Sequence, residues 1–175
     1  MIRLLAHARR RPLILAFAFS LITALPLPLW ADDGPLSRAT LQGITAVRAS
    51  ILLTSNDAQK DGLTEDQLQT DVELRLRKAG ITVIGSSAQT LRVVVVAYGV
   101  RDGSAIQSYA FLFSAALVQG IALTRDPSIL ALGETWSVAG VGTVGATRFS
   151  RYVRDTLADL IDQFINAYLE QNPKR

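Results

Sequence analysis

Beyond its first 31 residues the chain has no cysteine, no histidine and no methionine; its only His (His7) and only Met (Met1) lie in that opening stretch. Without a thiol or an imidazole there is no zinc or haem site of the usual ligand types, no Cys nucleophile, no Ser-His-Asp or Cys-His catalysis and no disulfide. Acidic residues are missing from the other end of the chain, since none precedes Asp32. Four of the 18 basic residues (Arg3, Arg9, Arg10, Arg11) fall in that acid-free stretch, leaving 14 against 15 acidic residues after it. The net charge of +3 is therefore the leader's. The remainder, at −1, offers no electrostatic case for nucleic-acid binding.

A basic segment (residues 1–12) followed by an apolar run from Leu13 to Ala24 is the layout of a secretory signal peptide. Cleavage after Ala31 would expose Asp32-Asp33-Gly34-Pro35. An uncleaved anchor would need roughly 20 apolar residues to span a bilayer, and Pro26 and Pro28 shorten the run, which favours cleavage. Arg9-Arg10-Arg11 lacks the residues that come after a twin-arginine motif, so ordinary export to the periplasm is expected. With no cysteine anywhere, a lipid-modified N-terminal Cys is impossible.

The rest of the chain suits a single domain over 44–171, preceded by a polar tail at 32–43 and succeeded by a tail at 172–175. Ile44–Thr54 is rich in branched residues and reads as a strand. The next helix carries the best local signals. Thr64 and Gln67 make a capping box, Leu63 and Leu68 a hydrophobic staple, and Leu68, Val72 and Leu76 an apolar stripe, with Gly80 to end it. Ile81–Ile84 comes next as a strand, giving a β-α-β unit with parallel strands. Leu91–Val100 is apolar on both faces, Asp102-Gly103 marks a hairpin, and Ala105–Thr124 is long enough to raise a transmembrane helix. Its polar interruptions and the strand-period Tyr109, Phe111 and Phe113 favour a long strand, bulged near Gly120. Arg125 to Ser128 forms a turn and Ile129–Val141 a last strand. A long amphipathic helix then runs from about Ser150 to Gln171. The predicted fold class is α+β: a mixed, mostly antiparallel sheet of four or five strands with two helices, in the order β-α-β-β-β-β-α.

Three features invite chemistry. Gly140, Gly142 and Gly145 fit the dinucleotide fingerprint, but no strand comes after the last helix to complete such a site, so a turn or bulged strand end is the reading preferred. Asp155, Asp159 and Asp162 share one helix face, which favours a solvated stripe screened by Arg151 and Arg154 over a cation site. Tyr109, Phe111, Phe113 and Trp136 have the spacing of strand core, yet two-sided apolar strands need cover on both sides. If both helices share one sheet face, the other is left for a partner or a second copy, and these four residues are the candidate surface. No catalytic, cofactor or metal-ligating residue is assigned.

The motifs Gly62-Leu63-Thr64, Leu76 to Ile81 (LRKAGI), Trp136, and Phe164 to Pro173 resemble those of small exported bacterial proteins of unknown function, over about residues 41–173. In element order the chain is also similar to the N-terminal domain of the periplasmic Tol translocation protein and to the curli secretion lipoprotein. It lacks the propeller of the first and the lipidated Cys of the second. The resemblance implies a fold and an envelope compartment and carries no catalytic residue across. The expected function is a non-catalytic periplasmic binding or assembly module with a protein partner or self-association, no cofactor and no nucleic acid. The alternatives are a carboxylate-based envelope hydrolase, in which acids would converge in a cleft, and a membrane-anchored subunit with an uncleaved leader.

Overall fold

The computed structural model describes residues 32–55, 57–59 and 62–173. The expected signal peptide and its cleavage site lie outside the described residues. The elements are α1 (Pro35–Ala39), β1 (Ala46–Thr54), α2 (Glu65–Lys78), β2 (Thr82–Val83), β3 (Thr90–Asp102), β4 (Ala105–Leu123), β5 (Asp126–Gly145) and α3 (Phe149–Gln171), with one 3-10 turn (Ala146–Arg148) before α3. The five strands form one sheet in the order β2-β1-β3-β4-β5. β1 pairs in parallel with both β2 and β3, while β3-β4 and β4-β5 are antiparallel. The α+β class and the mixed, mostly antiparallel sheet expected from the sequence are therefore present.

Local chemistry accounts for most boundaries. At α2 both halves of the capping box form: Thr64 Oγ1 accepts from the Gln67 N–H, and the Gln67 side chain accepts from the Thr64 N–H. The predicted stripe, Leu68, Val72 and Leu76, is buried, as are both staple leucines. Gly80 takes φ +85°, the left-handed conformation that closes a helix, and Gly103 takes φ +58° in the β3-β4 hairpin. The run that raised a transmembrane helix is β4. Among the described residues no helix is long and apolar enough to cross a membrane.

Three expectations change. Residues 32–43, expected as a tail, contain α1 and dock on the domain. Asp32 bridges to Ser137 at the edge of β5. Asp33 receives the Trp136 indole N–H (2.6 Å) and a two-pronged Arg38 guanidinium, and Arg38 also reaches Glu170 on α3. Leu36 is exposed, while Ser37 and the single core leucine Leu41 are buried, so polar bonds and one apolar anchor, with no apolar stripe, seat this segment, which is why periodicity does not reveal it. Second, β5 starts at Asp126 and runs on to Gly145, longer than the expected Ile129–Val141. Third, the glycine triplet lies wholly inside β5. There Gly142 sits opposite Phe111, and a methyl group on it would lie 2.6 Å from Phe111 Cζ. The glycine makes room for an aromatic ring.

Both long helices lie on one face of the sheet. Their buried residues, Val72 and Leu76 on α2 and Val153, Leu157, Ile161 and Phe164 on α3, join Val47, Leu91, Val93, Val95, Phe113 and Trp136 in one core. Asp71 on α2 bonds Arg154 on α3, and Arg75 bonds Asp162, so the two helices run in the same direction, fastened at two points.

This packing can be tested at two positions. Gly142→Ala should destabilise the fold by about 1–3 kcal/mol, because the Phe111 ring must shift in a filled core. Gly140→Ala, with nothing within 4 Å of the added methyl, should be neutral in the same denaturant titration. The second position is Asp33. Burial works to raise its pKa, but the Arg38 and Trp136 hydrogen bonds outweigh it and hold the carboxyl below its ordinary value. Because the folded-state pKa is lowered, the stabilisation is present above about pH 4, the unfolded value, and is lost as pH falls through the folded one. Asp33→Asn should flatten the acid limb of the stability profile in that window and lower stability at neutral pH.

Candidate functional site

The four residues expected to form a partner surface are core. Tyr109, Phe113 and Trp136 are fully buried and Phe111 nearly so. Tyr109 stacks on Phe149 with ring centroids 3.9 Å apart, and Trp136 meets Phe164 edge-on at 5.2 Å. Phe111 lies against Phe113 and Tyr152. All four point at α3, whose apolar stripe covers them, so that face is not available to a partner. Strand alternation sends the neighbouring residues to the opposite face.

That opposite face has no helix over it. Its side chains are set by the register. One row across the sheet is Leu52, Val94, Ser114 and Ala139; the next is Thr54, Val96, Leu112 and Val141; Tyr98, Ala110 and Thr143 form a third. Tyr98 is 69% exposed and Leu52 51%. None of these three rows contains a charge. The ion pair between Arg92 and Glu134 stands to one side of them, with exposed Arg48 beyond.

The face continues onto a ribbon. β3 begins at Thr90 opposite Val118, so residues 119–133 of β4 and β5 pair only with each other and run past the rest of the sheet. Glu134 reaches Arg92 on the uncovered face; Leu132 and Leu130, two and four residues earlier, therefore share it. Ala122 and Gly120 stand opposite them. Both leucines are 77% exposed. Between Gln119 and Glu134 only Arg125 and Asp126, at the turn, carry charge. The Arg92–Ala116–Ser137 row and Glu134 separate these leucines from the three uncharged rows, so the face carries two exposed apolar areas with one ion pair between them. Exposed apolar surface of this kind marks interaction sites more often than a monomer's solvated surface.

On the helix side, a groove of about 630 Å³ lies between α2 and α3, lined by Asp71, Arg75, Lys78, Arg151, Arg154 and Asp155 over a floor that includes Leu157 and Ile161. A carboxylate hydrolase would need acids to converge in a groove of this kind. Asp71 is held by Arg154. Asp162, from the predicted acidic stripe, is held by Arg75, and that hydrogen bond keeps its carboxyl below the usual range against a smaller effect of burial. Both pairs tie α2 to α3, and the lowered pKa of Asp162 is the opposite of what a general acid needs. Among the described residues no group of three or more His, Cys, Asp or Glu is placed to hold a metal ion.

No family model matches the chain, and no curated protein matches it. Solved structures do resemble it. A PelC dodecamer from Paraburkholderia phytofirmans is 16% identical, with a TM-score of 0.43 over 82% of this chain and 97% of that chain. A minor lipoprotein from Acinetobacter baumannii is 12% identical, with a TM-score of 0.39 over 74% and 94%. Rare lipoprotein B from Shewanella oneidensis is 14% identical, with a TM-score of 0.28 over 71% and 92%. All three are bacterial and two are described as lipoproteins, whereas this chain has no cysteine to carry such a lipid. These likenesses do not show the similarity to the Tol translocation domain expected from element order.

Proposed function

We propose that this protein is a non-catalytic assembly module of the bacterial envelope, exported to the periplasm, which acts by lending the uncovered sheet face and its leucine ribbon to another protein. The observation that carries this reading is the placement of both long helices on one side of a sheet whose strands are apolar on both sides. Tyr98, Leu112, Val141, Leu130 and Leu132 are thereby left without cover from the chain's own helices. The charged leader supports export. Apolar surface interspersed with a few polar groups, here the Arg92–Glu134 pair between the uncharged rows and the leucine ribbon, is the usual plan of a protein interface.

A photo-crosslinking residue at Tyr98, Leu112 or Leu132, introduced one at a time into the protein in living cells, should give adducts of one common mass. The same residue at exposed Gln163 on α3 should give none. Adducts from Gln163 alone, or from no position, would overturn the reading. Tyr98→Glu and Leu132→Glu should each change stability by no more than about 0.5 kcal/mol, as exposed sites do, and abolish the adduct. Phe111→Glu buries a charge in the core and should unfold the protein.

A further inference from the structure

The edge of the sheet offers a second interface, made of backbone. At one edge β2 is two residues long and blunt; at the other β5 runs for twenty. Sheet edges this long are usually protected by Lys, Pro, a bulge or a covering segment, because their unpaired N–H and C=O groups accept another strand. β5 is protected only in part. Thr40 Oγ1 donates to the Thr135 carbonyl, and the Ser137 N–H donates to the Asp32 carbonyl. These are the contacts that the described residues before β1 make with this edge.

Because the Ser137 N–H points out of the sheet, so do the N–H and C=O of Ala139, Val141 and Thr143, since a strand turns alternate residues to opposite sides. Among the described residues none of these outward groups has a partner. No register shift interrupts β5 between Ser137 and Gly145, and no charged residue or proline occurs from Thr135 to Thr147. After Gly145 the 3-10 turn at Ala146–Arg148 leads the chain into α3. Gly145, the next outward residue after Thr143, already caps that turn. Among the described residues the open lane therefore presents Ala139, Val141 and Thr143, with Val141 in the middle.

We propose that this edge pairs with the same edge of a second copy, β5 against β5, antiparallel and centred on Val141. A lane open to equal distance on either side of one residue is self-complementary under a two-fold axis through that residue. Val141 then exchanges both backbone bonds with Val141 of the other copy, and Ala139 pairs with Thr143 in each direction. The directly opposed side chains are Val with Val and Ala with Thr, uncharged and partly β-branched, as favourable cross-strand pairs are. On the helix side Gly140 and Gly142 present no side chain to obstruct the approach. Head-to-tail pairing of β5 with β2 would engage two residues only, and the two-fold arrangement is favoured for that reason. An axis perpendicular to the sheet puts both uncovered faces on the same side of one ten-stranded sheet. The pairing rests on backbone groups at the edge and stands apart from the proposed role of the face.

The test is sedimentation velocity of the purified protein across a concentration series, with amide hydrogen exchange read at Ala139, Val141 and Thr143. A reversible monomer–dimer equilibrium is expected, with those three amides protected in the dimer and exchanging freely in the monomer. Val141→Pro removes an outward N–H that β4 does not use. It should weaken the dimer by about tenfold or more, two backbone hydrogen bonds being lost per dimer. Val141→Thr keeps the N–H and should dimerise as the parent does. Three results would overturn the proposal: a monomer throughout the series; protection of the three amides in that monomer, which would assign the edge to the same chain; and a dimer that survives Val141→Pro but is lost with Tyr98→Glu, which would place association on the face. Because the amide readout on the unmodified protein is independent of Val141→Pro, a misfolded variant does not remove the test.

Discussion

The contact of α3 with β4 and β5 is the constraint on which the rest of the molecule depends. Phe149 on Tyr109 and Phe164 on Trp136 fasten the two ends of that helix to the sheet, and the ion pairs to α2 fix the second helix beside it. Two helices side by side form one layer, and one layer covers one face. Once α3 selects the face bearing Tyr109, Phe113 and Trp136, strand alternation commits Val94, Val96, Tyr98 and Leu112 to the other. The uncovered surface is thus set by the fold itself, with no local feature of its own needed to create it.

Elements with local, self-consistent signals are legible in the sequence. The cap, staple and stripe of α2 all occur where residue type and spacing place them, and so does the amphipathic face of α3. Aromatic alternation is enough to distinguish strand from helix at 105–124. The features that pattern does not reveal are non-local. Both alternating sets along β3 and β4 are apolar, so pattern alone does not say which receives the helices, and the aromatic set expected at a surface is the buried one. The larger rings fill the larger gap between sheet and helix, a rule of packing volume that a hydrophobic/polar pattern does not contain.

Two further differences between pattern and structure share a physical cause. The segment holding α1 is Gly-, Pro- and Asp-rich and looks like a linker because most of its attachments are hydrogen bonds to distant partners, Asp33 to Trp136, Arg38 to Glu170 and Asp32 to Ser137, with one lone core side chain, Leu41. β5 looks shorter than it is because glycines read as a turn. In this sheet Gly142 exists for the Phe111 ring, and Gly133 likewise faces Ile121, where a methyl would lie 2.7 Å from Cδ1. A glycine's meaning here is set by the residue across the ladder, which is invisible until the register is known. The parallel pairing of β1 with β3 is of the same kind, since it links two strands separated by a helix and a short strand.

α3 follows the whole sheet in the chain, and that order bears on when the protein can fold. Translation delivers residues 46–145, the entire sheet, before it delivers the helix that shields Tyr109, Phe113 and Trp136. A nascent chain lacking α3 can assemble strands but has both broad surfaces apolar and wet, so the native arrangement is not yet favourable. Completion of folding must await the last 23-residue element. Shortening α3 from its C-terminal end would therefore do more than remove a helix: it would turn a two-layer domain into a single wet sheet prone to stacking with its own kind.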